Sequence, residues 1–535
     1  MFALGLLISV YGYGIFFLGI LKLLYAPILW VWTGLFLISI GFILWKNTVI
    51  FTCKNSLKIL KHDFIAFLLF LILLGQICVN FIGVLGPEIG FDALWYHLTL
   101  PKLYLLHHAI FHIPGGLLYY SDMPKFVELL YTGALSFGSP IFAKCIHFSF
   151  GLCTLIVLYK MSRKFLSTRW SLIALVIFYA NLVVGWESIS AYVDLGRTLF
   201  ELVSLYAFIL WTEKNEKKYI IFSALFMGVA ITIKLLAIGS LAILSLLLIA
   251  TAYSKKKTVF EIVKMLIVFI FLALIVPAPW FIFSFAHTGN PLYPFFTHTY
   301  PVPFPLQLFN PWYFFTSFWN LFLFSADPLN PIYAVILPLV IISYRKFPNF
   351  IKLLIWYGGF GLLFWYITPR TGGGRFVLPY LPILSLITAK TIQIMANKKI
   401  KTFLIIIVLF LVLLSLGYRA LANAKFIPVI LGKESTNQFL ASHLNFSFGD
   451  FVDSDTYFAH HIHAKDMVLL YGFHNEFYVD FPFIDASWVQ KGDKFNYIAT
   501  QNMTLPKRFA SWQKIYTNRL THVTLYTDNK KIWTY

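Results

Sequence analysis

Long apolar runs recur along this chain, and they restrict what it can fold into. One begins beside the first residue, FALGLLISVYGYGIFFLGILKLL, and similar runs follow as far as residue 421. A helix needs ~20 apolar residues to cross the hydrocarbon core of a bilayer. With 59% hydrophobic and only 12% charged residues, the chain carries more apolar surface than a soluble domain can bury. The sequence therefore predicts an α-helical polytopic membrane protein.

The apolar runs divide into thirteen candidate spans. Their approximate bounds are 3–25, 28–45, 64–85, 140–159, 170–186, 195–211, 219–234, 236–252, 263–286, 331–344, 351–368, 376–396 and 402–421. A cluster of Lys and Arg follows every second span, so that all these clusters share one side of the membrane. By the positive-inside rule that side is cytoplasmic. We therefore expect a cytoplasmic N-terminus in what we interpret as a bacterial inner or plasma membrane.

The same topology predicts two units. Residues 1–421 form the transmembrane unit, whose outer loops cover residues 86–139, 187–194, 287–330 and 368–375. Residues 422–535 have nearly balanced charge and mix a helical stretch, ESTNQFLASHLNF, with β-like runs, DMVLLYGF, FNYIAT and HVTLYT. That mixture is typical of a small α/β domain, which the span count places outside the membrane.

Charge and cysteine content exclude other classes. The net charge of +20 arises from short clusters between apolar runs and forms no basic face with exposed aromatic residues, which argues against nucleic-acid binding. The four cysteines lie in or beside apolar segments, without the spacing of a zinc site or a disulfide framework.

The first outer loop opens with a cluster of charged residues in GPEIGFDALWYHLTLPK. Glu88, Asp92, His97 and Lys102 fall within fifteen positions, directly after an apolar span. An acid at a membrane edge usually faces a cavity or water, because exposure to lipid is costly. Asp92 is therefore either a general base or an interfacial charge that caps a helix. We take Glu88, His97 and Lys102 as candidate substrate-binding residues beside it.

Two further charges lie at the outer ends of spans. Asp194, in SAYVDLGR, is either a second carboxylate of the site or a favourable acid in the first turn of a helix. Lys234, in GVAITIKLLAI, either extends to the membrane surface or supplies a positive charge to a lipid phosphate.

The fourth outer loop, TPRTGGGR, places Arg370 and Arg375 around three glycines on the side where basic residues are otherwise rare. Glycines let backbone N–H groups approach an anion, and Arg binds phosphate through a fork of donors. The alternative is a flexible turn with exposed charges. Outer-loop histidines leave a divalent metal possible, but no spacing identifies one, and no other cofactor is indicated.

Five segments together resemble the GT-C class of integral-membrane glycosyltransferases, in the broad family-39 group of protein mannosyltransferase-like and aminoarabinose or galacturonic-acid transferase-like enzymes. They are FDALWYHLTLPKLYLLH, SAYVDLG, GVAITIKLLAI, TGNPLYPF and GRFVLPYLPIL, in this order. Together with the hydropathy, the resemblance extends over about residues 60–400. Each segment is weakly diagnostic by itself, whereas their order and common outer side are more specific.

The resemblance implies an inverting hexosyl- or pentosyltransferase that moves a sugar from a polyprenyl-phosphate donor to a lipid, glycan or protein acceptor outside the membrane. It implies that Asp92 is the base, that Asp194 is a second acidic residue, and that Lys234, Arg370 and Arg375 bind the carrier phosphate. Many members have an acidic pair in the first loop, whereas this chain has Asp92 followed by Ala93. Whether Glu88 or Asp194 replaces the missing acid stays open.

Two alternatives remain. A polymerase or ligase that moves lipid-linked oligosaccharides would use the same kind of site. A flippase for lipids or oligosaccharides is less consistent with the sequence, because transporters usually place ionisable residues in the middle of spans, and the predicted spans are nearly free of charge there.

Overall fold

The structure is a computed structural model that describes residues 1–46, 63–298, 305–325, 327, 329–368, 373–529 and 531–535. Up to residue 430 the regular secondary structure is helical, and loops connect the helices. The bounds are α1 Phe2–Ile20, α2 Ala26–Lys46, α3 Phe64–Leu85, α4 Thr99–His107, α5 Phe126–Leu135, α6 Pro140–Ser162, α7 Thr168–Tyr179, α8 Leu182–Glu187, α9 Asp194–Lys214, α10 Lys217–Ile233, α11 Ala237–Ser254, α12 Val259–Leu274, α13 Ala278–Thr288, α14 Pro311–Leu323, α15 Ile332–Ser343, α16 Asn349–Ile367, α17 Leu381–Ile394, α18 Lys398–Ala424 and α19 Ile427–Ile430.

Shorter helical turns connect several of these helices. A π-helix spans Ala93–His97, and 3₁₀-helices span Tyr119–Asp122, Leu306–Phe309, Tyr344–Lys346 and Gly373–Tyr380. Two of them, Ala93–His97 and Gly373–Tyr380, hold residues of the candidate site in place.

The predicted fold class is confirmed, whereas the count of thirteen spans is not. Within the described ranges, nine helices are long and apolar enough to cross a membrane, and α12 with α13, bent by 65°, makes up to ten. The predicted spans 170–186, 219–234 and 331–344 correspond instead to the shorter helices α7–α8, α10 and α15. Apolarity located these helices correctly, but α7 and α15 have 12 residues each and α10 has 17, fewer than the ~20 typical of a full span.

Helix α9 lies at the centre of the helical unit and carries charge into it. The Arg197 Nε lies 2.6 Å from Glu201 Oε1, one turn along the helix, and both side chains are buried. The other carboxylate oxygen of Glu201 accepts hydrogen bonds from the Ser240 hydroxyl at 2.6 Å and the Tyr357 hydroxyl at 3.3 Å. A buried charge is tolerated when paired in this way, so that these contacts tie α9 to α11 and α16.

The residues after 430 form a small mixed α/β unit with helices α20 Thr436–His443 and α21 Tyr457–His461 and two 3₁₀ turns, Phe446–Phe448 and Lys507–Phe509. The strands are β1 Val468–Tyr471, β2 Phe483–Asp485, β3 Lys494–Phe495, β4 Tyr497–Gln501, β5 Gln513–Asn518, β6 Val523–Thr527 and β7 Trp533–Thr534. A five-stranded sheet has the order β2-β1-β4-β6-β5, and β3 pairs with β7.

In this sheet β1 runs parallel to β2 and β4, and β6 runs antiparallel to β4 and β5. Alternate residues of β1 enter different apolar clusters: Val468 and Leu470 pack in one and Leu469 in the other. Because successive side chains of a strand point to opposite faces, the sheet is covered on both sides. The three runs expected to be strands contain β1, β4 and β6.

The sheet unit packs directly against the first outer loop. The Lys102 ammonium donates hydrogen bonds to the backbone carbonyls of Phe477 and Val479, both at 2.6 Å, and to the Asp480 carboxylate at 2.9 Å. The Tyr478 hydroxyl donates to the Glu88 carbonyl at 2.8 Å. Burial lowers the pKa of Lys102, while Asp480 opposes that shift.

Aromatic rings extend the same contact. The imidazole of His474 stacks on Phe91 with ring centroids 5.1 Å apart and lies 4.6 Å from the Trp95 ring. Phe91 and Trp95 flank Asp92 in the chain, so that the sheet unit supports the loop on which the candidate base lies.

The docking contact predicts the effect of Lys102→Met. The substitution leaves two carbonyls without their ammonium donor, and hydrogen bonds to charged groups are worth about 1.5–3 kcal/mol. We expect faster limited proteolysis in the connection between α19 and α20 and a lower melting temperature in detergent. Lys491→Met, which removes an exposed lysine of the same unit, is the matched control. Equal cleavage rates in both variants and the unaltered protein would contradict the docking role.

Candidate active site

Four charged side chains that lie far apart in the sequence meet at one end of the helices. The Arg375 Nη2 lies 2.7 Å from Asp92 Oδ2, and its Nε lies 3.3 Å from Asp194 Oδ2. The Lys234 ammonium lies 2.6 Å from the other oxygen, Asp194 Oδ1. The structure thus brings together four of the charged residues that the sequence predicts for the site.

Asp92 is held at the entry of the first outer loop. It immediately precedes the π-helix Ala93–His97, and its backbone N–H donates to the Tyr192 hydroxyl at 3.1 Å. A π-helix is rare and often occurs at functional sites. Here the π-helix directs Asp92 towards the loop before α9. The second carboxylate, Asp194, lies at the start of that helix.

Asp194 is the first residue of α9, and His147 fixes the start of that helix. The His147 Nε2 accepts a hydrogen bond from the Leu195 N–H at 3.0 Å, and its Nδ1 lies 2.9 Å from the Glu187 carbonyl and 2.8 Å from the Ser190 carbonyl. These partners require a neutral ring with the proton on Nδ1. His147 therefore acts as a buried helix cap that sets the position of Asp194.

Lys234 directly follows α10, in extended backbone, and its ammonium also lies 5.1 Å from the centre of the Phe376 ring. Arg375 belongs to the 3₁₀-helix Gly373–Tyr380, and its guanidinium lies 5.0 Å from the centre of the Tyr192 ring. Cations over aromatic faces are attracted by the ring electrons, so that each of the two cations has an aromatic partner besides its carboxylate contacts.

The glycines before Arg375 are required by a close approach of two backbones. A Cβ atom on Gly374 would lie 2.2 Å from the Asp327 carbonyl oxygen, and Gly373 has φ of +49°. The Gly374 N–H donates to the Ser325 hydroxyl at 3.0 Å. Neither the approach nor the positive φ suits a residue with a side chain. The glycine run thus fixes Arg375 against the end of the third outer loop.

Two more carboxylates lie beside Arg375. Glu187 is fully buried, and its Oε1 lies 3.7 Å from Arg375 Nε. Asp327 adjoins Arg375, and burial raises its pKa while the Arg375 guanidinium opposes that shift. Sequence reasoning missed Asp327. The available signal was its position as the single acid in a loop that contains no Lys or Arg.

The charges open into a cavity of about 370 Å³. Asp92, Lys234 and Arg375 line it together with the aromatic residues Trp95, Tyr96, Tyr119, Tyr120, Phe295 and Phe376. Their side chains are 18%, 17% and 14% exposed, respectively, so that a ligand can reach all three. Such a volume is typical of small-molecule sites. The combination of cations and aromatic walls suits a ligand with a phosphate and a sugar ring.

Lys125 was also missed by sequence reasoning. It is buried, and its ammonium donates to the carbonyls of Met123, at 2.7 Å, and Tyr120, two residues of the cavity wall. Burial lowers its pKa to about 7. Its carbonyl contacts hold the wall segment that follows the 3₁₀-helix Tyr119–Asp122.

Glu88, His97 and Lys102, also predicted for the site, do not line the cavity. Glu88 is buried, and its carboxylate accepts hydrogen bonds from the backbone N–H groups of Ile89 at 2.9 Å, Gly90 at 2.7 Å and Ala191 at 2.6 Å. It thereby ties the Asp92 loop to the turn before Asp194. Lys102 contacts the sheet unit, as described above.

His97 pairs with Glu128, and their nearest atoms, Nδ1 and Oε1, are 2.7 Å apart in a buried position. Arg370 lies outside the described residues. A metal site is likewise not identified: in the part of the chain that the structure covers, no group of three His, Cys, Asp or Glu side chains is arranged to hold an ion.

Comparison with known proteins agrees with this geometry. Residues 137–283 match the family model described as dolichyl-phosphate-mannose-protein mannosyltransferase. The fold is similar to the crystal structure of ArnT from Cupriavidus metallidurans in the apo state, with 13% identity, a TM-score of 0.59, and coverage of 85% of this chain and 97% of that one.

The crystal structure of the same ArnT bound to undecaprenyl phosphate matches with a TM-score of 0.54 at the same identity and coverage. No curated protein sequence matches the chain. The resemblance to GT-C enzymes predicted from the sequence is confirmed, and the family match and the shared fold together indicate a glycosyltransferase.

Proposed function

We propose that this protein is an inverting glycosyltransferase that moves a sugar from a polyprenyl-phosphate donor to an acceptor outside the membrane. The observation that carries the proposal is one cavity in which a carboxylate, Asp92, lies beside two cations, Arg375 and Lys234. The ArnT structure with undecaprenyl phosphate supports the choice of donor by similarity of fold.

Asp92 is the proposed base. In an inverting transfer, the acceptor oxygen attacks the anomeric carbon while the bond from that carbon to the phosphate oxygen breaks on the opposite face. The carboxylate takes the proton that the acceptor hydroxyl loses, and the polyprenyl phosphate leaves with the electron pair. No covalent enzyme intermediate is needed.

Arg375 connects this base to the leaving group. Its guanidinium contacts the Asp92 carboxylate at 2.7 Å. A bound donor phosphate competes for the same guanidinium. As Arg375 turns to the phosphate, the Asp92 carboxylate is released from this contact and can accept a proton from the acceptor hydroxyl.

Lys234 and Arg375 are the proposed phosphate ligands. Positive groups placed where negative charge develops stabilise the transition state, and they do so more strongly in a site shielded from water. Asp194 contacts both cations, at 2.6 Å and 3.3 Å. Its proposed role is to position them side by side rather than to react.

The other predicted residues receive supporting roles. Glu88 is proposed to hold the Asp92 loop against the turn before α9. The His97–Glu128 pair is proposed to brace the π-helix, and Lys102 to dock the sheet unit. Arg370 stays a predicted phosphate ligand, and a divalent metal stays possible.

The position of the charges favours a transferase over a flippase. Asp194 begins α9 and Lys234 follows the end of α10, so that the cluster lies at helix ends rather than in the middle of spans. A polymerase or ligase for lipid-linked oligosaccharides is the second candidate. The distribution of basic residues supports a cytoplasmic N-terminus and an outer sheet unit in a bacterial inner or plasma membrane.

The base assignment predicts that Asp92→Asn abolishes transfer while donor binding persists. General base catalysis contributes typically 10²–10⁴-fold, and we expect a loss in that range. The measurement is transfer from polyprenyl-phosphate sugar by purified protein, with retention of undecaprenyl phosphate as the binding readout. Asp455→Asn, at an exposed carboxylate of the sheet unit away from the docking contact, is the control. Full activity of Asp92→Asn would exclude the base role.

The assignment of Lys234 and Arg375 as phosphate ligands predicts that Lys234→Met weakens donor binding. Loss of one charge-assisted contact of about 1.5–3 kcal/mol should weaken binding of undecaprenyl phosphate by about ten- to a hundredfold. Arg375→Lys should weaken it as well, because Lys lacks the bidentate fork. Equilibrium binding in nanodiscs measures both. Lys433→Met, at an exposed position, should bind normally. Unchanged affinity in Lys234→Met and Arg375→Lys would show that the phosphate binds elsewhere.

A further inference from the structure

A second concave surface lies at the far end of the same helices. Helix α9 runs from Asp194 in the candidate site to Lys214, and α10 returns from Lys217 to the residue before Lys234. At 1.5 Å per residue, a helix of this length approaches the thickness of the hydrocarbon core. The groove between α10 and α12 at this end has a volume of about 470 Å³. It is therefore separate from the cavity at Asp92.

The floor of the groove is apolar. It is lined by Trp211 and by the aliphatic and aromatic side chains Ile220, Ile221, Met265, Val268, Phe269 and Leu272. Phe269 is 1% exposed, whereas Val268 is 47% and Ile221 is 40% exposed. The surface of α12 is thus only partly covered by protein and continues into the lipid-facing side of the bundle.

The mouth of the groove is basic. Lys217, Lys257 and Lys264 line it together with a single acid, Glu261. The Glu261 carboxylate is already used, because it accepts hydrogen bonds from the Thr258 N–H at 2.9 Å and the Thr258 hydroxyl at 3.1 Å, and it lies 3.5 Å from Lys257. Among the described residues, Lys217 and Lys264 have no carboxylate within ion-pair distance.

Lys264 is unusual in its surroundings. It lies one and a half turns inside α12, in the sequence VKMLIVFIFLAL, where apolar residues face lipid. A lysine at this depth extends along the helix to bring its ammonium to the membrane surface. That direction leads to the mouth of the groove, where the other two lysines lie.

We propose that this groove binds an anionic phospholipid, with its phosphate among Lys217, Lys257 and Lys264 and an acyl chain along the apolar floor. Basic pockets between membrane helices are suited to anionic headgroups. A free phosphate ion would leave the apolar floor unused, and a zwitterionic lipid would leave the excess positive charge uncompensated. The bound lipid joins α10 to α12. The proposal does not depend on the function proposed for the other site.

The test uses the full-length protein in zwitterionic nanodiscs and in detergent. Phosphatidylglycerol is the probe, with phosphatidylcholine and inorganic phosphate as comparisons. We expect phosphatidylglycerol to be retained in native mass spectrometry and to raise the melting temperature, because a ligand that binds only the folded state stabilises it. Phosphatidylcholine and phosphate should do neither.

The groove variant is Lys217→Gln with Lys264→Gln. We expect at least a tenfold weaker retention of phosphatidylglycerol and loss of the melting shift. The matched variant, Lys398→Gln with Lys399→Gln, removes two lysines at the start of α18 and should behave like the unaltered protein. Equal retention in the groove variant, or equal stabilisation of the unaltered protein by phosphatidylcholine or phosphate, would overturn the proposal. If the groove variant does not fold, the proposal is tested on the unaltered protein alone. Phosphatidylglycerol must then be retained and raise the melting temperature, whereas phosphatidylcholine and inorganic phosphate must not.

Discussion

The ion pairs of Arg375 organise the end of the helical unit that carries the candidate site. One guanidinium contacts Asp92 from the first outer loop and Asp194 from the start of α9, and Lys234 joins through Asp194. Charges taken out of water are stable only when they are paired. The first outer loop, the turn before α9, the residue after α10 and the glycine-rich turn must therefore meet at one point. The cavity lies between the first loop, the residues after α10, the segment that contains Phe295 and the glycine-rich turn.

Several residues beside the four charges fix the positions of backbone segments and do not pair with the charges themselves. His147 fixes the first turn of α9, the glycines before Arg375 permit close contact with Asp327, and Glu88 joins the first loop to Ala191. All three are buried backbone contacts. Each restricts where a charged side chain can lie, which is what a site needs if cations and base are to face the same ligand.

Sequence reasoning found the fold class and the four central charges, because both depend on local patterns. Apolar runs of sufficient length mark helices, and a charge at the outer end of such a run stands out. It did not predict the partners that long-range packing supplies. Glu88 resembles a site residue in the sequence, but its third partner, Ala191, is 103 positions away. His97 is likewise paired with Glu128, 31 positions away. The short helices α7, α10 and α15 carry the hydropathy of spans without their length.

The contact between the sheet unit and the first loop restricts how the sequence of such a protein can diverge during evolution. Lys102, Glu88 and the Phe91–Trp95 pair meet carbonyls, a hydroxyl and an imidazole that all come from residues 474–480. A foreign sheet unit grafted onto this bundle would offer a different pattern to an unchanged loop. Loop and sheet unit therefore form one module for exchange, and the helices behind them must keep the contact of Ala191 with Glu88 as well as present Asp194, Lys234 and Arg375.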